Sequence, residues 1–289
     1  MEKIKNSFYQ RNVEPESGVL YVVGTPIGNL NDFSERNKNL LKKVSIIACE
    51  DTRQTKKLLS AFGINNKLIS YNEHNSKVKT DFLLKMLKDG SSIALVSDAG
   101  LPVISDPGEH LVKKARDNGC EVICSPGPCA ALTGLVSSGL PSSNFLFIGF
   151  LSKKNTEREK QLKLIANSFC STIVYESPKR VTSFVQELNN YCEKTRTIHL
   201  CKELTKKYEW HWQGSLKNLI CELKNVEVRG EFTIIVAPKE TNKENDIDTK
   251  TIQKDLEKLI KLGLKRSSAS SYLAYKNKIS KNVIYNLNK

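Results

Sequence analysis

"SSIALVSDAGLPVISDPG", residues 91–108, joins an unbroken apolar run to a loop dense in residues that resist regular structure. The run Ile93–Val96 lacks polar alternation, the pattern of a strand covered on both faces. Asp98 follows at its carboxyl end, where open α/β sheets place their ligand crevices. Gly100 permits close approaches that a side chain blocks. Pro102 and Pro107 stiffen the loop, so a ligand meets backbone groups that are already ordered. Asp106 reads as a cap for the helix that follows. Two other loops share this character, "GTPIGN" (24–29) and "SPGPCA" (125–130), and each follows an apolar run. In a parallel sheet all three gather at one edge, which predicts a ligand platform.

Outward from this loop, strand-like runs alternate with helical patterns. "GVLYVVGT", "VSIIACE", "KLISYN", "SSIALVSD" and "CEVICSP" read as strands, with helices near 34–42, 52–62, 77–88 and 109–118. That alternation implies crossover units and a parallel sheet. Beyond residues 126–130, five further strand candidates follow: "NFLFIGF", "STIVYES", "TRTIHLCKE", "YEWHWQGS" and "GEFTIIVAP". Helices near 156–166, 179–191 and 216–223 separate some of them, but two are nearly adjacent, so the second sheet should be mixed. The expected organisation is a polar N-terminal extension (1–17), an N-terminal α/β domain (18–127), a second α/β domain (128–238), and a linker with a basic helical tail (239–289). In the tail, Leu259, Leu262, Leu264, Tyr272, Leu273, Tyr275, Ile279, Val283 and Ile284 are spaced to pack as a small unit, with unopposed Lys and Arg outside.

The chain has 45 Lys and Arg against 31 Asp and Glu, a net charge of +14, which favours an anionic partner such as nucleic acid. The longest apolar run, "FLFIGFL" (145–151), is too short to span a bilayer. No apolar segment near the N-terminus reads as a secretory signal, so a cytoplasmic protein without membrane attachment is expected. Eight cysteines are present, but none forms CxxC and no HxxxH pair occurs. Cys49, Cys120, Cys124 and Cys201 fall in strand-like runs, where a thiol serves as a small hydrophobe. No metal is expected.

The common nucleotide loops are absent: no GxxxxGK[ST] occurs, and "GTPIGN" lacks the middle glycine of GxGxxG. Instead "LYVVGTPIGNLND", "ACEDTRQTKKLL", "HNSK", "ALVSDAGLPVISDPG", "PGPCAALTGL", "YESPKR" and "KELTKKYE" occur in order. Together they resemble the ribosomal small-subunit RNA methyltransferase I family, within the tetrapyrrole methylase superfamily. The resemblance spans roughly residues 18–238. It implies a two-domain tetrapyrrole-methylase-like α/β fold, with a parallel N-terminal sheet, a mixed second sheet and a small helical tail. It further implies a homodimer and S-adenosylmethionine as methyl donor, with no metal required. The implied reaction is methylation of the 2′-oxygen of a cytidine in the decoding region of 16S ribosomal RNA, free or within the 30S subunit. The family usually has threonine where this chain has Leu101.

By motif, the resemblance places Pro26, Asp98, Leu101, Pro102, Val103, Cys129 and Ala130 at the donor, joined from the second domain by Tyr175, Glu176, Leu204 and Thr233. Methyl transfer to a hydroxyl needs in-line alignment and a base. The polar residues near the motif loops leave that role open among Glu50, Asp51, Arg53, His74, Arg180, Lys202, Glu203 and Lys206. His74 has the most suitable ordinary pKa, and Arg53 and Arg180 suit phosphate. Tyr208, Trp210 and Trp212 alternate along one strand candidate, a stripe that fits a core or dimer interface better than a stacking platform. Two rival readings are a tetrapyrrole carbon methylase and a non-enzymatic RNA-binding protein.

Overall fold

The computed structural model describes residues 14–224, 228–240, 249–277 and 279–287. Most of the expected N-terminal extension and linker therefore lies outside the described residues. The chain divides into two compact units, one up to Lys239 and the other from Glu240.

The first unit holds two sheets. Strands β1 (Leu20–Val23), β2 (Ile46–Cys49), β3 (Leu68–Ser70), β4 (Ile93–Val96) and β5 (Val122–Ser125) pair in parallel, in the order β3-β2-β4-β1-β5. Helices α1 (Glu35–Lys43), α2 (Thr52–Ala61), α3 (Ser76–Lys88) and α4 (Glu109–Asp117) make the crossovers. Every residue of β1 and β4 is buried, as an unbroken apolar run in a two-faced sheet requires. Ser34 and Asp51 cap α1 and α2 by accepting from Asn37 N and Arg53 N. At α4 the cap position falls to Gly108, which offers no side chain, so Asp106 is not the cap that its spacing suggested. Cys124 also departs from expectation: it is exposed, because β5 is an edge strand.

Helix α5 (Ala130–Ser138) leads to the second sheet. Its small-residue sequence has little apolar periodicity and so carries no helical signal of its own. Gly134 explains the composition: a Cβ there would meet Thr233 at 2.9 Å and Ile235 at 3.1 Å, so the helix lies close against the sheet. The sheet comprises β6 (Phe145–Phe150), β7 (Ser171–Glu176), β8 (Thr197–Lys202), β9 (Trp210–Ser215) and β10 (Phe232–Val236), in the order β6-β7-β10-β8-β9. Only β6 and β7 pair in parallel, so the sheet is mixed as expected. Helices α6 (Asn155–Asn167), α7 (Pro178–Leu188) and α8 (Leu216–Glu222) bury its other face around Phe184, Val185 and Leu200. Trp210 and Trp212 pack inward on that core, while Tyr208 is exposed in the preceding loop. The aromatic stripe is therefore mainly core.

The second unit contains α9 (Thr249–Lys261), α10 (Arg266–Asn277) and α11 (Lys281–Tyr285) around Ile252, Leu256, Ala269, Leu273 and Ile284. Leu262, Leu264, Tyr272, Tyr275 and Val283, expected to pack, are exposed. On α10 the buried stripe runs through Ala269, Ser270 and Leu273, which turns Tyr272 and Tyr275 outward. The tail's cations are not all unopposed either, since Lys276 Nζ lies 3.9 Å from Asp255.

Candidate active site

The three glycine- and proline-rich loops meet at the carboxyl edge of the parallel sheet, and specific contacts bind them. Thr25 N donates to Gly100 O at 2.9 Å and Gly100 N returns the bond to Thr25 O at 3.2 Å, joining the first loop to the second. Gly24 and Gly127 join the first to the third: a Cβ on Gly24 would sit 2.6 Å from Gly127 Cα, too close for any side chain. Buried Asn37 secures this junction by donating to Gly24 O at 2.8 Å and Pro126 O at 3.0 Å. In the second loop Val103 and Ser105 hold φ of 78° and 65°. A β-branched residue in the left-handed region stores strain of about 1–3 kcal/mol, a cost that concentrates at functional loops.

Between these loops and the second sheet lies a cavity of about 290 Å3. This is near the lower end of small-molecule sites, roughly 300–1,000 Å3. Of the residues the motifs assigned to the donor, Leu101, Cys129, Ala130, Tyr175, Glu176, Leu204 and Thr233 line it. Pro26, Asp98, Pro102 and Val103 do not, although Ile27, Ala99 and Gly100 beside them do. Pro26 and Pro102 are buried, and Val103 turns into the core of the first sheet. Tyr175 OH accepts from Ala131 N at 2.9 Å, fixing the start of α5 at the cavity wall. Burial raises the Tyr175 pKa far above the usual phenol range, so it stays neutral. Glu176, fully buried, meets Arg180 at 3.0 Å and Arg158 at 3.5 Å. Glu176 and Arg180 are thus engaged in a buried ion-pair network.

The remaining base candidates divide into two groups. Glu203 and Lys206 pair at 2.9 Å, and Lys206 also reaches Glu231 at 3.0 Å. Their loop, 203–209, packs on the first: a Cβ on Gly28 would meet Lys206 Cγ at 2.4 Å, and Asn29 N donates to Thr205 Oγ1 at 3.1 Å. Lys202 ends β8 beside them. The other group lies at the ends of β2 and β4. Arg53, largely exposed, grips Asp51 at 2.8 Å and holds its pKa down to about 2. Asp51 N donates to Asp98 Oδ1 at 3.2 Å. Burial raises the pKa of Glu50 and of Asp98, and neighbouring carboxylates push both further up. His74 is exposed in the loop before α3.

Asp106, a residue read from sequence as a cap, emerges here instead. It lines the cavity, and burial raises its pKa to about 6, with Glu50 and Asp98 adding to the shift and Ser97 opposing it. It also borders a second, more open depression of about 450 Å3 with Tyr71, Glu73, Ser76 and Lys113. One carboxylate thus faces two adjoining spaces, ionised at neutral pH yet close enough to neutrality to accept a proton.

Residues 19–220 match the family described as Tetrapyrrole (Corrin/Porphyrin) Methylases. A "Ribosomal RNA small subunit methyltransferase I" from Synechocystis sp. is 40% identical over 270 residues, covering 93% of this chain and 97% of that protein. The protein of the same description from Bacillus subtilis is 38% identical, covering 95% of each. The chain belongs to the ribosomal RNA small subunit methyltransferase I family, within the tetrapyrrole methylases. It is a methyltransferase. The fold has a solved counterpart in uroporphyrin-III C-methyl transferase from Thermus thermophilus complexed with S-adenyl homocysteine. That structure matches with a TM-score of 0.53 at 18% identity, over 75% of this chain and 96% of that one. Among the described residues no helix is long and apolar enough to cross a membrane.

Proposed function

We propose that the chain transfers a methyl group from S-adenosylmethionine to the 2′-oxygen of a cytidine in the decoding region of 16S ribosomal RNA, acting as a cytoplasmic homodimer. The observation that carries this reading is the cavity between the motif loops and the second sheet, walled by apolar side chains with a few convergent polar groups. Those walls fit a nucleoside-sized donor. Leu101, Cys129, Ala130 and Leu204 supply apolar surface, and Tyr175, Glu176 and Thr233 supply polar atoms. Pro26, Asp98, Pro102 and Val103 shape the loops behind them. When bound, the donor supplies an electrophilic methyl on a sulfonium. The chain's own contribution is to orient the acceptor oxygen and remove its proton, and we assign that proton to the Asp106 carboxylate. The net charge of +14 and the family's described substrate favour RNA as the acceptor.

The deciding experiment incubates the protein with methyl-labelled S-adenosylmethionine and unmodified small ribosomal subunits or their free RNA, then maps the labelled nucleotide by nuclease digestion. Label on one cytidine ribose is the expected result. Label on a tetrapyrrole offered in parallel, with none on RNA, would overturn the substrate. Donor binding with no transfer to either would overturn the catalytic reading.

A further inference from the structure

His199 and Cys201 lie two residues apart on β8, and His211 sits directly opposite Cys201 on β9. Alternation along antiparallel strands puts all three on one face of the sheet. This is the face opposite Trp210 and Trp212. His199 Nε2 is 3.3 Å from His211 Nδ1. One ligating atom from each of the three residues falls within 4.8 Å of the others. The second nitrogen of His211, Nε2, lies 2.7 Å from Glu209 Oε1. His199 and Cys201 are buried, at 4% and 0% exposure, while His211 reaches the surface.

Two imidazoles and a thiol converging on one point are the donor set of a borderline-soft cation such as zinc. The carboxylate behind His211 adds what such sites place in their outer layer, an acceptor that fixes the ring and its tautomer. Within the protein alone the Cys201 thiol is weakly satisfied, its Sγ lying 3.9 Å from Ser137 Oγ.

We propose that His199, Cys201 and His211 bind one zinc-class divalent ion, with a water molecule as fourth ligand on the open side of His211. On binding, the thiol gives up its proton to solvent and a sulfur–metal bond forms. The ion would tie β8 to β9 across the base of loop 203–209. In that loop Glu203 and Thr205 hold φ of 54° and 65°. The same loop presents Leu204 to the cavity and packs Thr205 and Lys206 on Gly28 and Asn29. Cys201 also belongs to the apolar cluster of Ala131, Leu204 and Tyr175 beneath the cavity. The ion is therefore a structural clasp on one wall of the donor pocket, and the inference does not depend on which acceptor is methylated.

The test uses the full chain, stripped with a chelator and titrated with Co(II). A thiolate-to-cobalt charge-transfer band and tetrahedral visible bands should saturate at one equivalent and vanish on addition of Zn(II). His211→Ala, a change at an exposed ring, should abolish the saturable bands while circular dichroism shows the fold intact. Glu209→Gln should weaken binding by roughly 10–100-fold. Cys201→Ser should remove the charge-transfer band. Should that buried variant not fold, the His211 and Glu209 variants still decide. Absence of a stoichiometric band in the unaltered chain, or an undiminished band in His211→Ala, would overturn the proposal.

Discussion

The two edges that enclose the cavity are built from opposite materials. The first sheet contributes backbone: glycines in mutual contact, prolines, strained loop residues, and carboxylates crowded at the strand ends. The second contributes side chains already satisfied by one another, Tyr175 by the start of α5 and Glu176 by two arginines. Glu176 is clamped by two arginines, whereas burial, with Glu50 and Asp98 adding to it, raises the Asp106 pKa to about 6, where a carboxylate can serve as a base. The difference assigns chemistry to the first edge and shape to the second.

That division predicts its largest effect at Asp106. Asp106→Asn should lower the methyl-transfer rate by roughly 10²–10⁴-fold, the usual worth of a positioned base, with donor affinity little changed. The sign of the pH dependence follows from the direction of the shift. The carboxyl titrates at about 6, above its ordinary 3.8. The base form is therefore present above pH 6 and is lost as pH falls through it. The unaltered enzyme should show an acid limb near 6 that the variant lacks. An unaltered rate in the variant would move the base to another group and break the contrast between the edges.

A second prediction compares two glycines. Gly127→Ala places a Cβ 2.7 Å from Gly24 Cα and should cost about 1–3 kcal/mol in urea unfolding, as overpacking does. Gly139, at φ +64° with no neighbour within 4 Å, bears only the left-handed backbone cost, about 1–2 kcal/mol for Ala. The Gly127 variant should also weaken donor binding, because the junction it forces apart is the cavity's own frame. Donor affinity unaffected at both positions would mean that the loop junction does not shape the pocket.

At the second edge the effect is smaller. Tyr175→Phe removes the acceptor for Ala131 N but keeps the ring, which packs edge-on to Phe147. A decrease of about 1 kcal/mol, one ordinary hydrogen bond, is expected in stability. Donor affinity measured by calorimetry should fall only modestly. A fall in rate as large as that of the Asp106 variant would show that Tyr175 takes part in the chemistry.

How much of this is readable from sequence depends on whether the signal is local. The apolar run Ile93–Val96 and the breakers after it specify a strand and a loop by themselves, and the parallel sheet follows from repetition. Asp106 misleads because its spacing before α4 satisfies a capping rule, and only the packing of β2 against β4 shows that Glu50 and Asp98 crowd it. His199, Cys201 and His211 escape a sequence reading for a related reason. The CxxC and HxxxH patterns detect metal sites on turns and helices, whereas His-x-Cys on a strand becomes a site only once the register with β9 is known. In the tail the apolar residues suffice for a small core, as their spacing suggests, but the helical phase chooses Leu273 over Tyr272 and Tyr275.

The smallest effect expected at the donor pocket belongs to removal of that tail. Its core consists of Ile252, Leu256, Ala269, Leu273 and Ile284, none drawn from the first unit. A chain ending at Lys239 should therefore bind S-adenosylmethionine with unchanged affinity. RNA binding should respond differently. Lys258, Lys261 and Lys265 are exposed, as are Tyr272 and Tyr275, which suits binding to phosphates and unpaired bases. Arg266 is otherwise engaged, donating to the backbone oxygens of Tyr285 and Leu287. If the exposed lysines neutralise phosphates, removing them takes away counterion release. The slope of log affinity against log salt should then shallow by roughly 0.7 for each single-strand phosphate no longer neutralised. Filter binding of small-subunit RNA across a salt series, with calorimetric donor titration on the same preparations, separates the two functions. An RNA slope identical in both chains would leave recognition to the first unit alone.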